Sequence, residues 1–303
     1  MSGPAARPPQ LLAVPNVSEG ADRVRIDEIA TAFDAPERGV RLLDVHSDAD
    51  HNRTVYTLTG PPGELAPALL AGAARVVATL DVSAHRGVHP RVGAIDVAPI
   101  VHLSDATRGA ACAEALVVAD LLAERLGLPV FLYGALTGHT RTRAEVRRGG
   151  PELLQRRIDA GELTPDFGPA RLHPTAGAVL VAARPPLLAF NVELAPGGTL
   201  EQARAIAAAI REGGPEGLPG VRALGLWLAQ RGTAQVSMNV EDHRATRLAD
   251  VVAAIARHAT LSRAEQVGLV PAAAYDGFPP ELPVANRRVL EEALDPHGSP
   301  ATS

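Results

Sequence analysis

The sequence contains no lysine; all 29 of its basic residues are arginine. Arginine replaces lysine on solvated faces without structural need, so this absence reads as GC-rich codon bias. Only one cysteine is present, Cys112. No disulfide can form within the chain, which fits a reducing cytoplasm. No apolar run reaches the ~18 residues that a spanning helix needs. The first ten residues are rich in Pro and Ala and lack the apolar core of a signal peptide. There is no excess of positive charge either: the net charge is −5, which argues against a general affinity for nucleic acid or a membrane surface.

What is present is ordinary globular composition. The 303 residues are 46% hydrophobic and 21% charged, enough for two small domains. Apolar periodicity predicts a strand over 11–17, a helix over 22–33, strands over 40–45 and 53–58, a helix over 61–80 and a strand over 94–102. A helix over 105–126 and a strand over 129–133 follow. The order β-α-β-β-α-β then recurs, with strands over 187–193, 221–229, 234–240 and 266–270 and helices over 200–212 and 248–258. It is the order of a ferredoxin-like sandwich. The expected class is therefore α+β, as two tandem ferredoxin-like subdomains. Residues 1–10 are expected to be disordered, 11–184 and 185–275 to form the subdomains, and 276–303 to be a partly disordered tail. Residues 177–186 read as the junction.

Chemistry concentrates in residues 81–97. This gap between a helix and a strand pattern carries His85, Arg86, Gly87, His89, Pro90, Arg91 and Gly93. A loop flanked by rigid elements is where folds place reacting side chains. Pro90 biases His89 toward extended backbone, and Arg91 adds a permanent cation. An imidazole beside a cation suits proton transfer on an anionic substrate. A second cluster runs from Asp44 through His46 and Asp48 to His51. Strand alternation puts Asp44, His46 and Asp48 on one face. These residue types also ligate metals, but no second cluster with ligand spacing accompanies them, and no metal is expected. Asp166-Phe167-Gly168 resembles a kinase motif, yet no Gly-rich phosphate loop precedes it.

Five segments occur in order: Pro15-Asn16-Val17-Ser18-Glu19-Gly20, Asn52-Arg53-Thr54-Val55-Tyr56-Thr57, His85-x-Gly87-x-His89-Pro90-Arg91-x-Gly93-Ala94, Pro165-Asp166-Phe167-Gly168-Pro169 and Ala189-Phe190-Asn191-Val192. Together they resemble the glutamate formiminotransferase family, the amino-terminal half of formiminotransferase-cyclodeaminase, over residues 11–271. The resemblance implies transfer of a formimino group from N-formimino-L-glutamate to N5 of tetrahydrofolate, with the folate as co-substrate. It implies that His89 is the catalytic base and acid and that Asp44 assists it. It also implies a homodimer, and a separate cyclodeaminase downstream. Arg53 and Arg91 lie in matched motifs and suit the substrates' carboxylates; Arg86 is a weaker candidate. Asn16 and Asn52 at strand ends can donate and accept at a site. In the family, the segment Gly168, Pro169, Ala170, Arg171, Leu172, His173, Pro174, Thr175, Ala176 and Gly177 lines the folate site, with Phe167 beside it. The chain departs from the pattern at His46, where better-known members carry an acid. That departure leaves open a sister transferase with another formimino or formyl donor. A non-catalytic folate- or amino-acid-binding protein is the other alternative.

Overall fold

The computed structural model describes residues 9–83 and 85–295. Most of the N-terminal segment and the end of the tail expected to be disordered lie outside these residues. The chain divides into two compact units, 1–185 and 186–303.

The first unit begins with β1 (Leu11–Ala13) and β2 (Asn16–Val17). A single strand was expected here, but Pro15 has no N–H to donate and interrupts the ladder. α1 (Arg23–Phe33), capped by the Asp22 carboxylate, leads to the hairpin β3 (Arg41–Asp48) and β4 (Arg53–Gly60). α2 (Leu65–Thr79), β5 (Ile95–His102), α3 (Arg108–Leu126) and β6 (Val130–Leu132) follow. Two short helices that periodicity did not disclose come next, α4 (Arg143–Arg147) and α5 (Gly150–Asp159). β7 (Val179–Arg184) then completes a seven-stranded sheet. Most of the expected junction over 177–186 is therefore strand, and the division between the units falls at its end, after Pro185. Val179, Leu180, Val181, Ala182 and Ala183 are buried on both faces, as a parallel strand between β5 and β6 requires.

β1 and β2 lie antiparallel between β4 and β5, and β3 pairs with β4. α1, α2 and α3 cover one sheet face through Phe33, Leu69, Val76 and Leu122, in one cluster with Ile100 of β5. α4 and α5 cover part of the other through Val146, Leu154 and Ile158, packed on Val97, Phe131 and Leu180. That second face carries the polar residues of the site.

The second unit holds β8 (Leu188–Leu194), α6 (Leu200–Ile210), β9 (Val221–Leu228), β10 (Thr233–Val240), α7 (Leu248–Ala256) and β11 (Leu261–Val267). β12 (Val284–Ala285) and α8 (Leu290–Leu294) show that part of the expected tail is ordered. The sheet order is β12-β11-β8-β10-β9, over a core of its own that includes Phe190, Ile206, Val236 and Val252. The last expected strand, 266–270, instead starts at Leu261. Both units are mixed α and β, each with one sheet and its own core.

Candidate active site

Two connections meet at one end of the first unit. The turn between β3 and β4 is closed by the His51 N–H donating to the Asp48 carboxylate at 2.8 Å. Asn52 ends it in the left-handed region, at φ 46°, which asparagine tolerates better than most residues. The Asn52 side chain accepts from the Gly20 N–H at 2.9 Å and donates to the Arg86 carbonyl at 2.7 Å. A Cβ at Gly20 would stand 2.2 Å from the Asp48 carbonyl oxygen, so only glycine lets these strands approach. The loop over residues 85–91 is held to the same turn. His85 Nε2 donates to the Asn52 carbonyl at 3.0 Å, and Arg91 donates to the His85 carbonyl at 2.8 Å. Asn52, His85 and Arg91 therefore position the loop, and Asn52's amide is engaged at both ends.

His89 is half-buried on this loop. Its Nδ1 lies 2.7 Å from the Pro90 carbonyl oxygen. A carbonyl only accepts, so Nδ1 carries the proton and Nε2 carries the basic lone pair. The imidazole beside it is that of His51, with ring centroids 6.1 Å apart. His46, where the chain departs from the family pattern, lies on β3 opposite Val55.

The charge centre is Asp96, fully buried and bonded to residues 43 and 51 positions away. One carboxylate oxygen accepts from Arg53 at 2.7 Å and from Arg147; the other accepts from the Val92 N–H at 2.9 Å and from Arg147 Nε at 3.3 Å. Asn16 accepts from Arg53 Nε at 3.2 Å and so orients the guanidinium. Arg147 is held by α4, whose Thr142–Glu145 capping box fixes the start of the helix. Arg143, one turn earlier, lies over the Tyr133 ring at 5.7 Å.

Burial would push the Asp96 carboxyl up, but Arg147, Arg53 and His89 outweigh it and hold it well below the usual carboxylate range. Burial also lowers Arg53, to about 10, although Asp96 pulls the other way. His89 is held well below the ordinary imidazole value. Burial is the main cause; Arg53, Arg147 and His51 add to it, and Asp96 opposes them. Asp96 is thus a carboxylate that acts on the imidazole. Asp44, expected to assist His89, and Asp48 are buried on the same face of β3 as His46, opposite Thr57 and Arg53.

The segment from Asp166 to Gly177 divides. Phe167 packs with the helix-side core, and its carbonyl accepts from the Val130 N–H. Gly168, Pro169, Ala170 and Arg171 are exposed. Leu172 packs with the cluster under α4 and α5. His173 and Gly177 pair backbone to backbone around Pro174, Thr175 and Ala176, and His173 Nδ1 accepts from the Ala176 N–H. This hairpin adjoins the His89 loop: Val82 donates to Thr175, Ala94 to Ala176, and Ala178 to Val92.

Asp96 and Arg147 are the site residues that sequence reasoning missed; His51 was read as part of the second cluster without a role of its own. A lone acid in the apolar run Ile95–His102 was a readable signal for Asp96; nothing marks Arg147 among its neighbouring arginines. Among the described residues, no group of three or more His, Cys, Asp or Glu is arranged to hold a metal ion. No described helix is long and apolar enough to cross a membrane.

Comparison with known proteins gives the family of the chain. Residues 10–184 match the model of the formiminotransferase domain, N-terminal subdomain, and residues 189–275 that of the formiminotransferase domain. The glutamate formimidoyltransferase of Streptococcus pyogenes serotype M1 is 39% identical over 230 residues, covering 75% of this chain and 76% of that protein. That of Thermoplasma acidophilum is 36% identical over 267 residues, covering 85% and 87%. The formimidoyltransferase-cyclodeaminase of Sus scrofa is 39% identical over 270 residues, covering 85% of this chain and 49% of its own length. The chain spans about half the length of such relatives. On both domain matches and on relatives covered over most of their length, the chain belongs to the formiminotransferase family.

Proposed function

We propose that this protein is a glutamate formimidoyltransferase, moving the formimino group of N-formimino-L-glutamate to N5 of tetrahydrofolate. The observation that carries this reading is the tautomer of His89. With Nδ1 donating to Pro90, Nε2 is a base held neutral at neutral pH beside a cationic centre. N5 attacks the amidine carbon. Nε2 takes the N5 proton as the C–N5 bond forms, then returns it to the glutamate nitrogen as the old C–N bond breaks. The products are 5-formiminotetrahydrofolate and glutamate. Proton transfer of this kind contributes typically ~10²–10⁴-fold.

Arg53 and Arg91 remain the proposed contacts to substrate carboxylates, and residues 168–177 the proposed folate segment. The adjacency of the 173–177 hairpin to the His89 loop supports the latter. In this reading Asn16 and Asn52 act through Arg53 and the loop. Asp44 and His46 serve the β3 face of the site, and Phe167 supports residues 168–177 from the core side. Each unit reads as a ferredoxin-like sandwich, a reading supported by sheets that place the fourth, first, third and second βαββαβ strands side by side. A homodimer working in the cytoplasm, with a cyclodeaminase consuming the product, completes the proposal.

The test is purified protein with tetrahydrofolate and N-formimino-L-glutamate, followed by product absorbance. Turnover with this donor is the expected result. Turnover only with another formimino or formyl donor overturns the substrate assignment, and ligand binding without turnover overturns the enzyme.

A further inference from the structure

Arg53 and Arg147 come from different elements, β4 and α4, yet both end on the one buried carboxylate of Asp96. The two guanidinium side chains are only 11% and 12% exposed, and Asp96 is 0% exposed. A purely structural ion pair needs one cation per carboxylate. Burying a second guanidinium on the same carboxylate carries a desolvation cost that a one-to-one pair avoids. Arg143 adds a further positive charge acting on Arg53 from the same face of α4. The cluster is a fork-shaped cationic site suited to a carboxylate.

We propose that Arg53 and Arg147, joined through Asp96, form the receptor for the α-carboxylate of the formimino donor, with Arg147 as a specificity-determining residue. The assignment rests on the transferase reading above. The donor's chemistry selects the carboxylate. In N-formimino-L-glutamate the α-carboxylate is attached to the carbon that bears the reacting nitrogen. The glutamate tail of a folate is separated from N5 by a whole aminobenzoyl ring. A receptor whose charges act directly on His89 is placed for the nearer group.

Occupancy has a consequence for the base. Arg53 on β4, Arg147 on α4 and His51 in the β3–β4 turn oppose protonation of His89, and Asp96 on β5 favours it. On its own loop, Arg91 is a further cation and His85 a second imidazole. A bound carboxylate adds a negative charge at the two arginines and so strengthens Nε2 as a base. The imidazole is then a stronger proton acceptor when the donor is seated than when it is absent.

The test uses wild-type protein and Arg147→Gln and Arg147→Lys variants, with histidine titration followed by NMR and His89 assigned through His89→Gln. L-Glutamate, the product that retains the α-carboxylate, is the probe. In wild type it should raise the His89 titration midpoint. Arg147→Gln should weaken glutamate binding ~10–100-fold, the scale of a lost charge-assisted hydrogen bond. Arg147→Lys, which keeps the charge and loses the fork, should recover part of it. An unmoved His89 midpoint in glutamate-saturated wild type overturns the proposal without recourse to any variant. Unchanged affinity in Arg147→Gln overturns it as well. If p-aminobenzoyl-glutamate moves the midpoint and glutamate does not, the receptor belongs to the folate tail. If chloride moves it equally, the site takes an adventitious ion only. Formimino transfer by the wild type separates this proposal from the functional reading. Transfer with glutamate binding indifferent to Arg147 removes the receptor alone. Loss of glutamate binding in Arg147→Gln, without transfer by the wild type, removes the functional reading alone.

Discussion

His89 and Asp96 illustrate two ways in which one residue can matter. His89 hydrogen-bonds through Nδ1 to its own neighbour's carbonyl, and its ring lies beside that of His51. His89→Ala should leave stability nearly unchanged and lower kcat by ~10²-fold or more, the scale of general acid–base catalysis. Steady-state kinetics beside a urea melt checks both halves. Asp96 is the converse case, because it touches two guanidiniums and a backbone amide from full burial. Asp96→Asn leaves two buried cations without their counter-charge. The expected loss is ~3–5 kcal/mol, the range for breaking a buried ion pair, read from the denaturation midpoint.

At the scale of elements, the site is a junction between the β3–β4 turn and the loop that enters β5. Asn52 is its pin, with a backbone at φ 46° and side-chain bonds to Gly20 and Arg86. Asn52→Ala removes both bonds and leaves a β-carbon in the left-handed region. The part-buried Gly20 N–H left without its acceptor costs up to ~1–3 kcal/mol, and the exposed Arg86 carbonyl turns to water at little cost. Asn52→Gly relieves the backbone but not the bonds. Both variants should lower kcat more than they raise KM, because the loop carrying His89 loses its support, and Ala should be the less stable in thermal melts. Equal melting temperatures would show that the backbone conformation there carries no strain. Gly93 makes a comparable junction with the 173–177 hairpin, since a Cβ there would stand 2.1 Å from the Ala178 carbonyl oxygen.

For the whole molecule, His89 and Asp96 are among the groups that set the acid side of stability, and burial lowers His85 in the same direction as His89. The His89 value in the native state lies below the 6.5 of a free imidazole. Below about pH 6.5 the unfolded chain therefore binds a proton that the native state refuses, and stability falls as pH falls. Asp96 acts lower: its contribution is full above the unfolded value of 3.8 and is lost as pH drops through its depressed native value. The denaturation free energy should thus be level above pH 7 and decline below about 6.5, and His89→Gln should flatten the upper part of that decline. The acid limb of the kcat/KM profile should likewise lie below 6.5. A limb at or above that value would mean that the free enzyme's base is not this imidazole.

The amino-acid sequence determined the local order of elements, because periods of 2 and 3.6 report which face of each segment is apolar. It also determined the His89-Pro90-Arg91 loop and the motifs that carry the family likeness. β7 escaped it because residues buried on both faces have no alternation to read. α4 and α5 escaped it because a five-residue helix and a polar ten-residue one show little periodicity. Tertiary structure alone decided which charge meets His89. In the pairing of β2 with β5, Asn16 faces Val97 and Val17 faces Ile95, so Asp96 is the extra residue of a bulge. A bulge re-aims a side chain in a way that strand alternation does not foretell. The same holds for Arg147, which reaches Asp96 across 51 positions of sequence. That contact depends on sheet register and on where α4 lies over the sheet, and no window of neighbouring residues contains either.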